Sequence, residues 1–396
     1  MSKKNRNESM PEFDDQILAD EQTGRKKKKK KKGSGAVGRF FRRFFLCFFT
    51  LIILILVAFC LVLNLVFNGP SESARVVLTM SLTEASATKW VPGLFMDDAI
   101  VEEIRKPAEN NLIGEETDVS QIVINRDPVT SGDDEWANYP DGIRIFEEKG
   151  KTFNAHVMLI RDPSRVYMAT STPGEFSTSI PGTRINQQIE TEGASAAINA
   201  GAFNDDGTAN SYVGSIPAGL LMAQGELRSN AYHELVPNKK QGKGGFAGFT
   251  EDDILVVANT ITPEEAEELK IRDGCEFGPV LIMNGVINEA AFGSNSGYNP
   301  RTAIGQRADG TVIFLCIDGR QAGSPGGTYK DVVDIMVKYE AVNACNMDGG
   351  SSSIMLYRDT QGLYGEPGQV QMINNYSLLQ KEPRRMPNFW MVRPAE

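Results

Sequence analysis

An unbroken apolar segment near the N-terminus is the strongest constraint on what this chain of 396 residues can fold into. Phe44 to Phe67 contains no charged residue, and only Thr50 and Asn64 interrupt it with a polar side chain. At about 1.5 Å of rise per residue, a helix of this length crosses the roughly 30 Å hydrocarbon layer of a bilayer. The sequence therefore predicts a single transmembrane helix over residues 44–67.

Basic residues lie directly before this segment. Residues 1–43 hold 14 Lys and Arg against 6 Asp and Glu, and they include the run Lys26–Lys32. Positive charge marks the cytoplasmic flank of a membrane helix, so we expect a cytoplasmic N-terminus and an extracellular C-terminal region at the cell membrane. The low complexity of residues 1–43 predicts a disordered tail. The lysine run either sets the topology alone or also contacts anionic lipid.

A cleaved signal peptide is the alternative interpretation of the apolar segment. Such a peptide has a shorter apolar core of about 7–15 residues and a short basic stretch at its start. The small residues of Ser71–Ser73 offer a cleavage site, whereas the length of the apolar run favours the anchor.

The composition of the remaining chain excludes several classes of protein. The whole chain has a net charge of -10, although its first 43 residues are basic, so the folded part is acidic and does not suit a nucleic-acid partner. Five cysteines without a Cys-x-x-Cys pair argue against a disulfide framework or a zinc knuckle. We expect Cys275, Cys316 and Cys345 to be buried free thiols, with a Cys316–Cys345 bridge as the alternative.

Two regions follow the predicted membrane helix. Residues 68–149 read as a stalk or linker without a catalytic pattern. From residue 150 to 396, short apolar runs alternate with Gly, Pro and Asp turns, as strands do. Helical patterns cover Pro263–Ile271 and Thr328–Ala341. The sequence therefore predicts an α+β domain, a mixed β-sheet with flanking helices, after one transmembrane helix.

Five motifs place polar residues among glycines beside apolar runs. They are Asn199–Phe203, Pro217–Gly219, Asn299–Gly305, Asp318–Arg320 and Asn346–Ser352. Glycine beside a polar side chain at a strand end lets a ligand approach the backbone closely. Each motif alone is compatible with an ordinary turn, but the five together predict one binding cleft.

The order of these motifs resembles that of the phosphodiester glycosidase family. The most specific parts are Pro300-Arg301-Thr302 with Gly305, the Asp318–Arg320 triplet, and Asp348–Ser352. The resemblance covers about residues 150–394, and Met347 and Ala202 are small departures from the pattern. It implies an extracellular hydrolase that cleaves the glycosyl–phosphate bond of a sugar-1-phosphodiester, as in an envelope glycan or exopolysaccharide. The stalk and the membrane helix have no counterpart in it.

Residues of these motifs suit the chemistry that the resemblance implies. Arg301 and Arg320 can form forked hydrogen bonds to phosphate oxygens. Asp318 and Asp348 each follow an apolar run, so we expect them at neighbouring strand ends as a pair that stabilises oxocarbenium charge or activates water. We predict Asp348, Asp318 and Arg301 as catalytic residues.

The remaining candidates are predicted to bind substrate. The amides of Gly349, Gly350 and Ser351 can form an anion-binding nest, to which the Ser351 and Ser352 hydroxyls add donors. The other predicted substrate-binding residues are Asn199, Gly201 and Arg320. Structural roles are the alternatives: Asn199 satisfying backbone at a strand end, Arg301 in an ion pair, and Asp318-Gly319 as a turn.

Other chemistries fit the sequence less well. A serine hydrolase at Ser351–Ser353 lacks the Gly-x-Ser-x-Gly elbow, and only His156 and His233 could activate a serine. No cluster with zinc-ligand spacing exists. We predict no cofactor, although the turn Asn204–Gly207 is rich enough in oxygen ligands for calcium or magnesium.

Two alternatives keep the same topology and the same cleft. A membrane phosphotransferase that attaches glycopolymer to cell wall would also use arginines and aspartates, and it would transfer sugar phosphate instead of releasing it. A non-catalytic envelope glycan-binding module would bind without turnover. The expected partners are therefore a carbohydrate phosphodiester and the membrane, and the sequence identifies no protein partner.

Overall fold

The computed structural model describes residues 35–84, 88–105, 114, 116–126, 135–203, 213–230, 245–292, 297–360, 362–376 and 382–395. The predicted tail up to residue 34, the oxygen-rich turn at 204–207 and His233 therefore lie outside the described residues. The chain divides into two compact units, with the boundary between Cys60 and Leu61.

The first helix, α1, runs from Ala36 to Asn68. Residues Gly38–Asn68 are long and apolar enough to cross a membrane, and the side chains of this helix are largely exposed in the structure. Length and composition thus agree with the predicted membrane helix. The cytoplasmic position of its N-terminus stays a prediction.

Residues that the sequence predicted as a stalk contain two further helices. Helix α2 spans Glu72–Thr83. Ser71 is its N-cap residue, and the Ser71 hydroxyl accepts a hydrogen bond from the Ala74 amide at 3.3 Å. Helix α3 spans Asp98–Arg105. Hydroxyl capping of this kind satisfies an amide that has no partner within the helix. The apolar side chains of this region meet in a small cluster of its own.

The rest of the chain alternates strands with short helices, which confirms the predicted mixture of sheet and helix. The first ten strands are β1 (Ile143–Lys149), β2 (Asn154–Ile160), β3 (Val166–Thr170), β4 (Thr183–Arg184), β5 (Ala196–Asn199), β6 (Leu221–Ala223), β7 (Glu226–Ser229), β8 (Phe246–Thr250), β9 (Leu255–Ala258) and β10 (Ile271–Glu276). The others are β11 (Val280–Met283), β12 (Val286–Ile287), β13 (Arg301–Arg307), β14 (Val312–Ile317), β15 (Ala341–Met347), β16 (Met355–Arg358), β17 (Val370–Met372), β18 (Arg385–Met386) and β19 (Asn388–Val392). The helices between them are α4 (Ile185–Glu192), α5 (Pro263–Glu268) and α6 (Tyr329–Lys338). Strand β1 begins before residue 150, on the N-terminal side of the predicted domain boundary.

The largest sheet has seven strands in the order β1-β2-β14-β13-β15-β11-β12. Because side chains alternate across a strand, each central strand supplies two cores. In β14, Phe314 and Cys316 face the main core, whereas Ile313, Leu315 and Ile317 face a second core. Helix α6 covers that second face. The sheet is therefore buried on both sides, which accounts for the unbroken apolar run of β14.

A five-stranded sheet, in the order β17-β16-β5-β19-β3, packs on the other side of the main core. Ile198 of β5 faces the main core, and Ala197 faces a third core with Ile185 and Ile189 of α4. The layers are thus helix, sheet, sheet and helix. A second five-stranded sheet, β7-β6-β10-β8-β9, joins the same core at its edge, and a small β18-β4 pair completes the described strands.

Buried free thiols are confirmed in this domain. Cys275, Cys316 and Cys345 are buried and unbridged, so the alternative Cys316–Cys345 disulfide is not formed. Burial raises the pKa of the Cys316 and Cys275 thiols well above the usual range. These side chains therefore act as small apolar core residues.

Candidate active site

Three of the predicted motifs meet at one edge of the seven-stranded sheet. The antiparallel register pairs Arg301, the first residue of β13, with Ile317, the last residue of β14. It also pairs Thr302 with Met347 at the end of β15. Asp318 and Asp348, which follow those strand ends, are therefore neighbours of Arg301. The pairing of antiparallel strands brings together residues that are far apart in sequence.

Arg301 is a buried, fully engaged side chain with 4% exposure. Its Nε donates to the carbonyl of Gly327 at 3.2 Å and its Nη2 to the carbonyl of Gly297 at 2.8 Å. Its Nη1 lies 3.2 Å from Oε2 of Glu84, and its guanidinium stacks 4.3 Å from the Tyr329 ring centre. Burial opposes the charge, but Glu84 and Tyr329 together outweigh it and raise the pKa of Arg301. Arg301 is therefore a permanent cation behind the open surface of the cleft.

Arg320 is the exposed arginine of the cleft. It has a left-handed backbone, with φ of 57°, and its Nη2 donates to Oδ1 of Asn299 at 3.2 Å. A Cβ added at Gly350 would lie 2.9 Å from this guanidinium, so the glycine lets the side chain cross the loop closely. The Asp-Gly-Arg and Asp-Gly-Gly motifs therefore contact each other, as one shared cleft requires.

Several charged side chains act on the Arg320 guanidinium. Crowding by protein atoms lowers its pKa, and the charged groups that act on it are Glu84, Arg301, Asp348 and Arg384. The two carboxylates oppose that lowering, and the two arginines add to it. Three guanidinium groups and two carboxylates are thus gathered in one place. Such a concentration of positive charge is suited to binding an anion.

Asp348 lies at the partly exposed end of β15. Its backbone amide donates to the carbonyl of Ala200 at 3.0 Å, and its Oδ1 accepts from the Gly349 amide at 2.9 Å. The first contact joins the seven-stranded sheet to the strand end of β5. Asp348, a half-buried residue, therefore lies where two sheets meet.

Asn199 holds this junction together instead of facing the cleft. It is 0% exposed, and its Nδ2 donates to the carbonyl of Asp348 at 2.6 Å. Its Oδ1 accepts from the Thr302 hydroxyl at 2.8 Å and from the Ile354 amide at 3.2 Å. Both ends of the amide are occupied by protein, and the predicted contact of Asn199 with substrate stays a prediction.

Asp318 is close in the chain to Arg320, but its carboxylate is turned inward. It is 1% exposed, and its two oxygens accept from the backbone amide of Asn375 at 2.9 Å and from Nδ2 of Asn375 at 2.7 Å. Nε2 of His156 lies 3.5 Å from Oδ2. This carboxylate fixes the loop that holds Asn375, and it does not reach the open cleft. A catalytic role for Asp318 stays a prediction that this geometry does not favour.

Two of the three amides of the predicted anion nest, those of Gly349 and Gly350, donate to protein oxygens. The Gly349 amide donates to Asp348, and the Gly350 amide donates to the carbonyl of Pro300 at 2.9 Å. The Ser352 amide donates to the carbonyl of Gly349, and the Ser352 side chain is 0% exposed. These contacts shape the loop, with Gly350 at φ of 64°. The Gly349, Gly350 and Ser352 amides are thus engaged within the loop, and the Ser352 hydroxyl is buried without a hydrogen-bond partner.

Ser351 leads to a part of the cleft that the motifs did not indicate. Its hydroxyl lies 3.1 Å from Nη1 of Arg384, and its carbonyl accepts from the Tyr376 hydroxyl at 2.7 Å. Arg384 also stacks on Phe203, at 4.7 Å from the ring centre. Burial raises the pKa of Tyr376, so its hydroxyl stays neutral. Arg384 precedes the closing strands directly, and only its charge could have marked it in the sequence.

Glu276 is a second carboxylate close to the strand end of β5. The Ala202 amide donates to the Glu276 carbonyl at 3.0 Å, and Oε2 of Glu276 accepts from the Leu220 amide at 3.2 Å. A Cβ added at Gly219 would lie 1.7 Å from that oxygen. Asp348 and Glu276 therefore flank the same short segment, in contact with Ala200 and Ala202 respectively.

Gly201 lies inside this segment and is packed on β10. Its amide donates to Oδ1 of Asn388 at 2.7 Å, and an added Cβ would lie 2.8 Å from Cβ of Cys275. The absence of a side chain at Gly201 thus allows the two sheets to approach. Its predicted role in substrate binding stays a prediction.

Glu84 reaches the cleft from outside the motif-bearing region. It follows helix α2, and its Oε2 accepts from Nδ2 of Asn299 at 2.7 Å while pairing with Arg301. The adjacent Ser81 hydroxyl accepts from the Tyr298 amide at 2.8 Å. Nothing in the composition of the predicted stalk marked Glu84, because its partner is more than two hundred residues away in the sequence.

Metal-ligating side chains are not clustered in the described part of the chain. Within the described ranges, no group of three or more His, Cys, Asp or Glu residues could hold a metal ion. The turn at 204–207, which the sequence singled out for calcium or magnesium, lies beyond those ranges. The prediction about cofactors therefore stays a prediction.

Comparison with known proteins gives one family match over half of the chain. The family model described as phosphodiester glycosidase matches residues 192–393. A SPbeta prophage-derived uncharacterized protein, YomE, from Bacillus subtilis (strain 168) is 44% identical over 85 residues. That alignment covers 21% of this chain and only 13% of the relative.

Solved structures of low sequence identity are similar in part. One is the zebrafish N-acetylglucosamine-1-phosphodiester alpha-N-acetylglucosaminidase catalytic domain auto-inhibited by its pro-peptide, with a TM-score of 0.48 and 18% identity over 63% of this chain and 82% of that chain. Another is a hypothetical protein from Synechocystis, with a TM-score of 0.42 and 16% identity over 65% of this chain and 63% of that chain. The family match, by contrast, includes every arginine and aspartate of the cleft described above.

Proposed function

The chain belongs to the phosphodiester glycosidase family, and from that premise we propose that its cleft hydrolyses a sugar-1-phosphodiester. The observation that supports this function most directly is the convergence of Arg301, Arg320 and Arg384 beside Asp348. An anomeric phosphodiester needs cationic donors for its phosphate and a carboxylate for its sugar. Both are present at one sheet edge.

In this proposal, the two outer arginines bind the phosphate. Arg320 is exposed, and Arg384 is partly exposed with one Nη on Ser351, so both can donate to phosphate oxygens. Arg301 stands behind them and adds positive potential without direct contact. Arginine binds phosphate through paired N–H donors and stays charged at every physiological pH.

Asp348 is the carboxylate proposed to act at the anomeric carbon. The bond between that carbon and the phosphate oxygen breaks, its electron pair stays on the phosphate, and a water oxygen bonds to the carbon. Asp348 stabilises the oxocarbenium charge or accepts the proton of the water. Glu276, which flanks the same segment, is the better placed partner than the buried Asp318.

The setting of the reaction is proposed from the N-terminal part of the chain. The apolar helix and its basic flank support membrane anchoring with the cleft on the extracellular side. An envelope glycan or glycopolymer that contains sugar phosphodiesters would be within reach there. Transfer to cell wall and glycan binding without turnover are the alternatives, and the product distinguishes them.

The test uses the full chain in lipid nanodiscs with a panel of sugar-1-phosphodiesters. We expect release of reducing sugar, and a fall of about 10²–10³-fold in kcat for Asp348→Asn, with binding of the substrate retained. Asp334→Asn is the matched control, because Asp334 is an exposed partner of Lys330 on α6, outside the cleft.

Three other results would contradict the proposal. Equal activity in Asp348→Asn and Asp334→Asn would remove Asp348 from the reaction. Sugar phosphate on an acceptor, without free sugar, would favour the phosphotransferase. Binding without any product from the whole panel would favour the glycan-binding module.

A further inference from the structure

Exposed apolar side chains are concentrated just after the membrane helix. Trp90 is 61% exposed, Leu94 66% and Ile100 43%, all within the segment from residue 89 to 105, here called the membrane foot. Single exposed apolar residues are ordinary on a protein surface, but three within eleven residues need a reason.

The membrane foot is fixed against the last turns of the membrane helix. Phe67 is 1% exposed and belongs to one apolar cluster with Met96 and Val101. The Phe67 and Phe95 rings stack at 5.3 Å between centres, and Nδ2 of Asn68 donates to the Phe95 carbonyl at 3.1 Å. The foot therefore cannot move far from the point where the helix ends.

We propose that the membrane foot lies in the lipid head-group region, with Trp90 and Leu94 inserted at the boundary of the acyl chains. The proposal depends on the membrane anchoring proposed above and is independent of the catalytic activity. The end of a membrane helix lies where hydrocarbon gives way to head groups, and a segment docked on it is held at that depth. Tryptophan is among the residues most enriched there, because its ring is apolar and its N–H can reach polar groups.

Charge indicates which lipids this surface suits. Asp97, Asp98, Glu102 and Glu103 are exposed on the foot, against only Lys89 and Arg105. An acidic surface gains nothing from anionic lipid, so the contact is apolar and shallow. Zwitterionic lipid should therefore be sufficient, and added salt should change the contact little.

Tryptophan fluorescence in nanodiscs tests this proposal on the full chain. The chain has three tryptophans, of which Trp136 is 5% exposed and Trp390 0%. Zwitterionic lipid brominated near the head of its acyl chains should quench the Trp90 emission about twofold or more, since bromine quenches only on close approach and Trp is expected at this depth. The Trp90 emission is the difference between the parent chain and Trp90→Phe.

A charge placed in the contact provides the second arm. Leu94→Glu should lift the foot and reduce the quenching of Trp90. Leu363→Glu is the matched control, because Leu363 is 60% exposed but lies far from the foot in the sequence, and it should leave the quenching unchanged.

Acrylamide, a water-soluble quencher, separates the remaining outcomes. Trp90 that is quenched by acrylamide and not by bromolipid faces solvent, which overturns the proposal. Trp90 shielded from both is covered by protein, either a second copy or another partner, which overturns it equally. Incorporation of the chain into nanodiscs is scored separately, so a failure of the foot is distinct from a failure of the anchor.

Discussion

At the scale of single residues, the net charge of five charged side chains in the cleft is opposite in sign and similar in size to that of the proposed substrate. Arg301, Arg320 and Arg384 together with Glu84 and Asp348 leave one net positive charge. A phosphodiester carries one negative charge, whereas a free phosphate monoester carries nearly two at neutral pH. With one net positive charge, these five groups attract an anionic diester without the higher charge that would hold a dianionic product much more tightly.

A substitution at Gly219 tests whether the Glu276 carboxylate takes part in the reaction. Gly219 has φ of 86°, and an added Cβ would lie 1.7 Å from Oε2 of Glu276. Gly219→Ala should therefore displace that carboxylate and reduce kcat/KM by about tenfold or more, besides a backbone cost of about 1 kcal/mol.

The matched control for that change is Gly225→Ala. Gly225 has a similar φ of 79°, but nothing lies within 4 Å of its added Cβ. Both variants should lose similar stability in thermal unfolding from backbone strain, with any further loss in Gly219→Ala coming from the clash. If Gly219→Ala keeps the activity of Gly225→Ala, Glu276 has no part in the reaction.

The sequence motifs predicted which residues lie close together better than they predicted the role of each residue. In the structure, Asp348 is half-buried and Arg320 is exposed. Asp318 stands in an equally typical Asp-Gly motif, yet its oxygens are taken by Asn375, a partner that no local pattern reveals. Contacts with residues distant in sequence decide which carboxylate oxygens remain available to a substrate. A short motif does not contain those contacts.

At the scale of secondary structure, helix α2 brings the Glu84 carboxylate to the cleft, where it lies beside two of the arginines. Glu84→Gln removes one negative charge beside Arg301 and Arg320. One charge at this range contributes about 1 kcal/mol, so KM for the phosphodiester should fall about fivefold. Inhibition by inorganic phosphate should strengthen by at least as much, because that anion is more highly charged.

Glu72→Gln is the control for this change. Glu72 is the exposed acidic residue in the first turn of the same helix. It should leave KM unchanged, whereas Glu84→Gln should also lower the free energy of unfolding by about 1–2 kcal/mol, since a buried arginine loses its ion partner. A rise in KM for Glu84→Gln would show that the carboxylate assists binding.

The sequence predicted the starts of helices well where it contained a clear N-cap residue. Thr262 and Thr328 both form capping boxes at the starts of α5 and α6, where the sequence predicted helices. Both helices end earlier than predicted. Ile271, which the predicted helix included, instead opens β10 and pairs with Thr250. A β-branched residue fits either structure, and the neighbouring strand decides.

At the scale of the whole molecule, the path of the chain limits how far the cleft can lie from Asn68, the last residue of α1. Three residues separate Asn68 from Glu72, and α2 is 12 residues long. At about 3.5 Å per extended residue and 1.5 Å per helical residue, Glu84 is within roughly 35 Å of the helix end. The contact of Glu84 with Arg301 then holds the cleft near the membrane surface under the proposed anchoring. This arrangement joins residues more than two hundred positions apart, which explains why the sequence described the region only as a stalk.

Buried tyrosines should make the stability of the entire fold depend on pH at high pH. Burial raises the pKa of Tyr167, Tyr339 and Tyr357 above the usual value, and Glu192, Glu148 and Asp141 add to the effect. Below the ordinary tyrosine pKa of about 10, both folded and unfolded chains keep these protons, so the contribution to stability is complete. Above it the unfolded chain loses them first, and the free energy of unfolding falls as pH rises.

Absorbance at 295 nm measures this difference directly. The chain has 10 tyrosines. About one pH unit above the ordinary pKa of about 10, the native chain should contain about three to five fewer tyrosinates than the chain in denaturant, because burial also raises the pKa of Tyr364 and Tyr376. Tyr357→Phe should reduce that deficit by about one, because the phenol hydrogen-bonded to Asp141 is then absent from both states. Equal ionisation of the native and denatured chains would mean that these hydroxyls are open to water, and that the three cores around the sheets are less tightly closed than the structure indicates.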